Sequence, residues 1–159
     1  MSRPVPVEVA IMEQVAQRLA RVPSMQGADY DAPFDPLRDA AQLPWTQCFE
    51  LREEYNAWTA GTELFGQHMT IRLFCLFGFR EEPGQTPRRL GRAIKAQIEQ
   101  ALLADVTLGG LTFDLIPLEA AIQDPIVAEG GVVTGRAAVW FDWRADYARP
   151  RNNPYDPTQ

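Results

Sequence analysis

The sequence predicts a single α+β domain, two amphipathic helices packed on a mainly antiparallel four-stranded sheet, in the order α-β-β-α-β-β. Three observations carry that expectation. Apolar residues recur at helical spacing in residues 6–22 and 87–102. Residues 67–79 and 132–147 alternate apolar and polar positions with the period of a half-buried strand. No internal repeat or change of composition marks a second domain, and 159 residues is the size of one. Residues 1–148 are assigned to the domain and 149–159 to a polar, proline-rich tail.

The first helix carries Val7, Ile11, Val15, Leu19 and Val22 on one stripe, with Pro6 at its start and Pro23 closing it. Residues 23–44 are rich in proline and aspartate and show no period, which predicts a long loop with at most one helical turn near 35–42. Residues 45–55, "WTQCFELREEY", read as a strand with Trp45, Phe49, Leu51 and Tyr55 on one side. Thr46, Glu50, Arg52 and Glu54 fall on the other. In "QHMTIRLFCLFGF", Met69, Ile71, Leu73, Cys75, Phe77 and Phe79 share one face, and this strand pairs with its predecessor as a hairpin with an extended tip.

Thr86 is then a good N-cap and Pro87 suits the first helical position. Leu90, Ile94, Ile98, Ala101 and Leu102 form the buried stripe of the second helix, with Arg88, Arg89, Arg92, Lys95 and Glu99 largely outside it. "LTFDLIPL" (111–118) reads as a shorter strand kept at a sheet edge by Pro117, and 119–130 as a loop. The last strand, 132–147, points Val133, Ala137, Val139, Phe141, Trp143 and Tyr147 one way, and Thr134, Arg136, Asp142, Arg144 and Asp146 the other.

Composition narrows the function. A net charge of −6 argues against direct duplex binding, which calls for a basic patch, yet an acidic wall would let DNA slide past. No secretory signal and no apolar run long enough to span a bilayer are expected, which reads as a soluble, cytoplasmic chain with no membrane partner. Cys48 and Cys75 fall in strand-like segments and read as buried thiols. Lys95 is the only lysine; the remaining cations are arginines, which suit subunit interfaces.

The loop "GFREEPGQTPRR" places glycine and proline before a helix, as phosphate-binding loops do. It lacks the GK[S/T] of a P-loop and holds Glu81 and Glu82 where an anion would sit. Asp29, Asp31, Asp35 and Asp39 break the EF-hand pattern, with Pro33 and Phe34 at its fifth and sixth positions. His68, the single histidine, cannot form a His-His metal pair, and neither Ser2 nor Ser24 lies in a nucleophile context. No catalytic residue, metal ligand or cofactor is therefore expected.

Apolar residues do appear where a free monomer would be polar. The hairpin tip "NAWTAGTELFG" carries Trp58, Leu64 and Phe65, and Trp140 stands among Arg136, Asp142 and Arg144 on the outer face of the last strand. Two readings fit: these five, Trp58, Leu64, Phe65, Arg136 and Trp140, are subunit contacts, or Trp58 and Phe65 fold back on the core and the 23–44 loop covers Trp140.

The element order, the helix-end segment "ALLAD-x-T-LGGL-x-x-D" and the final strand "V-x-F-x-W-R-x-D-Y" resemble the tail terminator proteins of long-tailed phages. The match covers roughly residues 5–148; neck and other tail-tube relatives share much of the pattern. The resemblance implies a structural virion protein without catalysis, assembled in the host cytoplasm. It implies a hexameric ring that closes the head-proximal end of the tail tube, stops tube polymerisation and receives the head. Its partners would be copies of itself, the tail tube protein and a head-completion or neck protein, with DNA passing through the lumen. A head-completion or neck connector, and beyond it a small-molecule-binding domain, are the alternatives.

Overall fold

A computed structural model of the chain describes residues 4–55, 63–80 and 82–155. Its elements are α1 (Val7–Ala20), β1 (Gly27–Tyr30), β2 (Trp45–Tyr55), β3 (Leu64–Gly78), α2 (Pro87–Leu103), β4 (Asp114–Gln123), β5 (Ile126–Ala128), β6 (Gly131–Val133) and β7 (Arg136–Pro150), with a single 3₁₀ turn at Ala40–Gln42. The expected α+β class holds. The main sheet has five strands rather than four, in the order β1-β2-β3-β7-β4, and β5 and β6 form a separate small hairpin. All pairings are antiparallel except β1 with β2.

β3 lies at the centre because its alternation is the most complete. Met69, Ile71, Leu73, Cys75 and Phe77 are all buried on the helix side. Opposite them on β7 stand Ala145, Trp143, Phe141, Val139 and Ala137, equally buried and in direct register. α1 covers β1 and β2 with Val7, Ile11, Val15 and Leu19, while α2 covers β7 and β4 with Ile94, Ile98 and Leu102. Thr86 caps α2 by accepting from the Arg89 amide at 3.3 Å, with Pro87 next to it, as the sequence predicts. At Gly91 the helix backbone sits directly on the sheet: a Cβ there would lie 3.0 Å from Ile122 and 3.2 Å from Val139.

Four expectations need correction. β2 does not keep one alternating pattern, because a bulge between Glu50 and Arg52 shifts its phase. Thr46 and Cys48, not Trp45 and Phe49, face the core at its start. The 23–44 loop contains β1, a four-residue parallel edge strand with too few residues to show a period. The third expected strand runs from 114 to 123 rather than 111 to 118; it is the edge strand foreseen, with Pro117 at a bulge in its middle. The last expected strand is two, because Thr134 and Gly135 turn the chain between β6 and β7. Val133 packs on the outer-face cluster of Leu76, Ile126 and Ala138, not with the inward row.

The assigned boundary at 148 also falls inside β7. Pro150 pairs with Leu64, the Arg151 amide donates to the Glu63 carbonyl at 2.9 Å, and the Val7 amide donates to Pro154 at 3.0 Å. Residues 149–155 thus hold the start of α1 against the sheet.

The rest of the proline-rich segment is a strap across the outer face of β2, β3 and β7. Gln47 donates to the Pro33 carbonyl, Phe34 meets Phe74 edge-on at 4.6 Å, and Arg136 donates to the Pro36 carbonyl at 2.8 Å. Asp29 accepts from Trp45 Nε1 at 2.8 Å and from Arg38 at 3.3 Å, and Arg38 lies 3.8 Å over the Trp45 ring. Asp35 and Asp39 accept from the amides of Leu37 and Ala41. Three of the four loop aspartates thus hold the loop's own backbone and side chains.

Gly27 leaves no room for a side chain under this strap, since a Cβ would come within 2.3 Å of the Trp45 ring. Gly27→Ala is expected to displace Trp45 and cost about 1–3 kcal/mol in a denaturant titration. In a Trp45→Leu background the same change should cost much less.

Asp105, just beyond α2, supports a second testable expectation. It accepts from the Thr107 hydroxyl at 2.5 Å, from Arg18 at 2.7 Å and from the Gly109 amide at 2.9 Å. These bonds, with Thr107's the largest effect and Arg18's next, hold its carboxyl well below the usual carboxylate range. Its contribution to stability is therefore complete above the unfolded value of 3.8 and is lost as pH falls through the lower folded value. Asp105→Asn should lower the melting temperature at neutral pH, and the difference from the parent chain should shrink in strong acid.

Candidate assembly surface

The groups with catalytic potential are held apart or occupied. Cys48 and Cys75 are buried and free, and burial pushes the Cys75 thiol up to about 12 and Cys48 higher still, so neither is a thiolate at neutral pH. Ser24 donates its hydroxyl to Gln97, and His68 Nε2 lies 2.7 Å from Glu54 on the neighbouring strand. Among the described residues no group of three His, Cys, Asp or Glu side chains is placed to hold a metal ion, and no helix is long and apolar enough to cross a membrane. A cleft of about 470 Å³ at the start of α2 is lined by Phe79, Thr86, Pro87, Pro125, Val133 and others. Its ionisable lining residues are Glu82 and Asp124, so it offers no cation to a phosphate. Glu81 lies outside the described residues.

The four expected contact residues that are described fall at two ends of the sheet. Trp58 lies outside the described residues. Leu64 is exposed at the first position of β3, and Phe65 is half-buried on the helix side. The Phe65 ring meets Tyr55 at 5.2 Å, Arg151 at 4.5 Å and Arg149 at 5.4 Å. Trp140 lies opposite Phe74, nine residues along β3 from Phe65, roughly 30 Å away at the rise of a strand. It is half-buried, and the Arg72 guanidinium sits 4.5 Å over its ring while binding Asp142 through two bonds of 2.7 Å. Arg136 is held by the strap. The aromatic–arginine pattern is thus real, but Arg136 and Trp140 build the outer face of their own chain, while Leu64 and Phe65 stand at the opposite end of the sheet.

The helix over the β4 edge carries cations and the β1 edge lies among carboxylates, while β4 itself also holds the exposed Asp114 and Glu119. α2 lies over β7 and β4, with Arg88 and Arg92 exposed and Lys95 half-buried. Together with Ala120, Ala121, Ile122 and Val139 these three line a cleft of about 320 Å³. Lys95 binds Glu99 at 2.5 Å; among the described residues Arg88, Arg89 and Arg92 form no ion pair. At the other edge Tyr30 of β1 donates to Glu50 at 2.8 Å. Its hydroxyl is pushed far above its ordinary value by burial and by Glu50, with Asp31 and Glu13 adding to the effect. The sequence reading assigned the α2 cations to solvent and missed this edge. Three cations at i, i+4 and i+7 against a single acid was the signal for it.

Comparison with known proteins gave no match, either to a protein-family model or to a curated protein.

The acidic side has a measurable consequence. The Glu53 carboxyl is raised by partial burial and by Glu8 and Glu50, against the opposing pull of Arg149. A raised acid favours the protonated folded state, so its penalty is absent below the ordinary carboxylate range and appears as pH rises through the folded value. Glu53→Gln should raise the melting temperature at neutral pH and leave it unchanged in acid.

Proposed function

We propose that this chain is a tail terminator subunit of a long-tailed phage. It joins copies of itself into a ring at the head-proximal end of the tail tube, stops the tube from growing and presents the surface to which the filled head docks. The observation that carries this reading is that the sheet ends in two unlike free edges at opposite sides of the molecule. A chain with two unlike, complementary ends assembles head to tail, and such a contact closes into a ring when its rotation divides the circle. The resemblance to terminator proteins in the "ALLAD-x-T-LGGL" segment and the last strand supplies which ring this is.

Two further features fit. The long β2–β3 hairpin carries exposed Tyr55 and Leu64 and half-buried Phe65 beside Arg149 and Arg151, a composition suited to a second protein such as the tail tube. On the open half of the outer face the arginines are paired: Arg72 with Asp142, Arg144 with Asp146 and Arg52 with Glu54. Paired cations on a chain of net charge −6 leave little to grip a phosphate backbone, as passage of DNA requires.

Deleting the gene from its phage or prophage and imaging the lysate by electron microscopy tests the proposal. Tails of uncontrolled length, separate from filled heads, are expected. Tails of normal length beside heads that leak DNA would move the chain to the neck, and normal virions would overturn both structural roles.

A further inference from the structure

We propose that copies of this chain join edge to edge, the β4 edge of one copy pairing with the β1 edge of the next, with Arg88 and Arg92 of α2 facing Glu13 and Glu50 of the neighbour. This rests on the self-assembly reading above and names the joint that reading requires.

Backbone pairing comes first. β4 pairs with β7 on one side and β1 with β2 on one side; among the described residues no strand lies on the other side of either. Unpaired strand edges are templates for another strand. β4 is regular on the far side of its bulge, from Glu119 to Gln123, and β1 spans Gly27–Tyr30, so the two usable stretches match in length. Pro117, which cannot donate, lies outside this stretch.

Direction follows from the topology. β1 and β2 run the same way, β3 opposes them, β7 returns to their direction and β4 opposes again. A rotation about an axis along the strands keeps these directions, so β4 of one copy meets β1 of the next antiparallel. The two sheets then continue as one with the helices on the same side.

The helix layer supplies the charge. α2 lies over β7 and β4, and α1 over β1 and β2, so each free edge has a helix above it. Joining the edges brings α2 of one copy beside α1 of the next. Arg88 and Arg92 are exposed without an acidic partner among the described residues. Across the joint stand Glu13 on α1 and Glu50 on β2, exposed and close enough to Tyr30 to raise its hydroxyl. The cleft between α2 and Ala120–Ile122 receives the half-buried Tyr30. The two edges of one molecule repel their own kind and attract each other, which specifies head-to-tail contact and disfavours pairing of like edges.

Charge reversal tests this on the full chain, with sedimentation velocity for assembly and far-UV circular dichroism for folding. Arg88→Glu/Arg92→Glu and Glu13→Lys/Glu50→Lys should each be folded monomers under conditions where the parent chain assembles. Mixed, the two variants should assemble, because one then has two acidic edges and the other two basic ones. The chain with all four changes should assemble alone. If the parent chain assembles and either pair of changes leaves assembly intact, or if the mixture and the fourfold variant both stay monomeric, the edge joint is wrong while the ring survives. A parent chain that stays monomeric at every concentration and at tube ends would overturn the ring and the joint together.

Discussion

The pairing of β3 with β7 is the constraint on which the other parts of the molecule depend. Fifteen residues of β3 run in unbroken antiparallel register with β7, from Leu64 opposite Pro150 to Gly78 opposite Arg136. That register places two rows of large side chains on one face, Met69 to Phe77 and Ala137 to Tyr147, and the two helices have no other apolar surface of comparable size to cover. It also aligns the opposite face. Phe74 meets Trp140 and Leu76 meets Ala138, which gives the strap and the β5–β6 hairpin an apolar floor. Slipping β3 by one residue would exchange its two faces, putting Arg72 under the helices in place of the apolar row.

The outer face is consequently divided. Toward Gly78 it is apolar and covered by the strap through Phe34, Pro33 and Pro36, and by Ile126 and Val133 of the small hairpin. Toward Leu64 it is an open ladder of paired charges. The pair of Arg72 and Asp142 stands at the border. Asp142 is buried there, and removing Arg72 would leave its charge uncompensated, at a cost on the order of 3–5 kcal/mol. The cysteines are buried, the histidine and three of the strap aspartates are occupied within this framework, and among the described residues Arg88, Arg89 and Arg92 stand on α2 without an ion pair.

What was legible in the sequence follows from how much each signal relied on period alone. The central strand and the last one were readable because their alternation is long and uninterrupted, and α2 because Thr86, Pro87 and the Ile94–Ile98–Leu102 stripe agree. β2 was readable as a strand but not in its facing. Small Thr46 and Cys48 turn inward while Trp45, beneath the strap, and Phe49 turn outward, and the bulge at Glu50–Arg52 then exchanges the faces. β1 was invisible because four residues, Gly27–Tyr30, cannot show a period and parallel pairing with Trp45–Cys48 is a tertiary fact. The β5–β6 hairpin had a signal in the Glu129–Gly130 turn between two short valine-bearing stretches, with Gly130 and the following Gly131 at positive φ. Of the five expected contact residues, Leu64 is exposed at the start of β3 and Phe65 is half-buried against Tyr55, Arg149 and Arg151. Arg136 and Trp140 were recognised as unusual for the right reason, aromatic and arginine on an outer face, but their partners Pro36 and Arg72 lie in the same chain and far off in sequence.

The charge at the two sheet edges bears on why such edges remain open at all. A free edge invites any strand, and soluble proteins usually blunt theirs with bulges, prolines or charges. β4 has two of these devices, Pro117 with its bulge in the middle and Arg88 and Arg92 alongside, yet the stretch from Glu119 to Gln123 is left regular. β1 is short and sits among carboxylates. Like edges therefore repel, and extended partners lacking the opposite charge gain little. In the proposed joint the same residues that protect each edge in the free chain would become attractive to the unlike edge, with single exposed ion pairs contributing little by themselves and the backbone ladder supplying most of the contact. Protection and selectivity are thus one arrangement of side chains. It would keep a subunit monomeric among unrelated proteins and let it pair only with an edge that carries the complementary pattern, which among the described residues the chain itself provides.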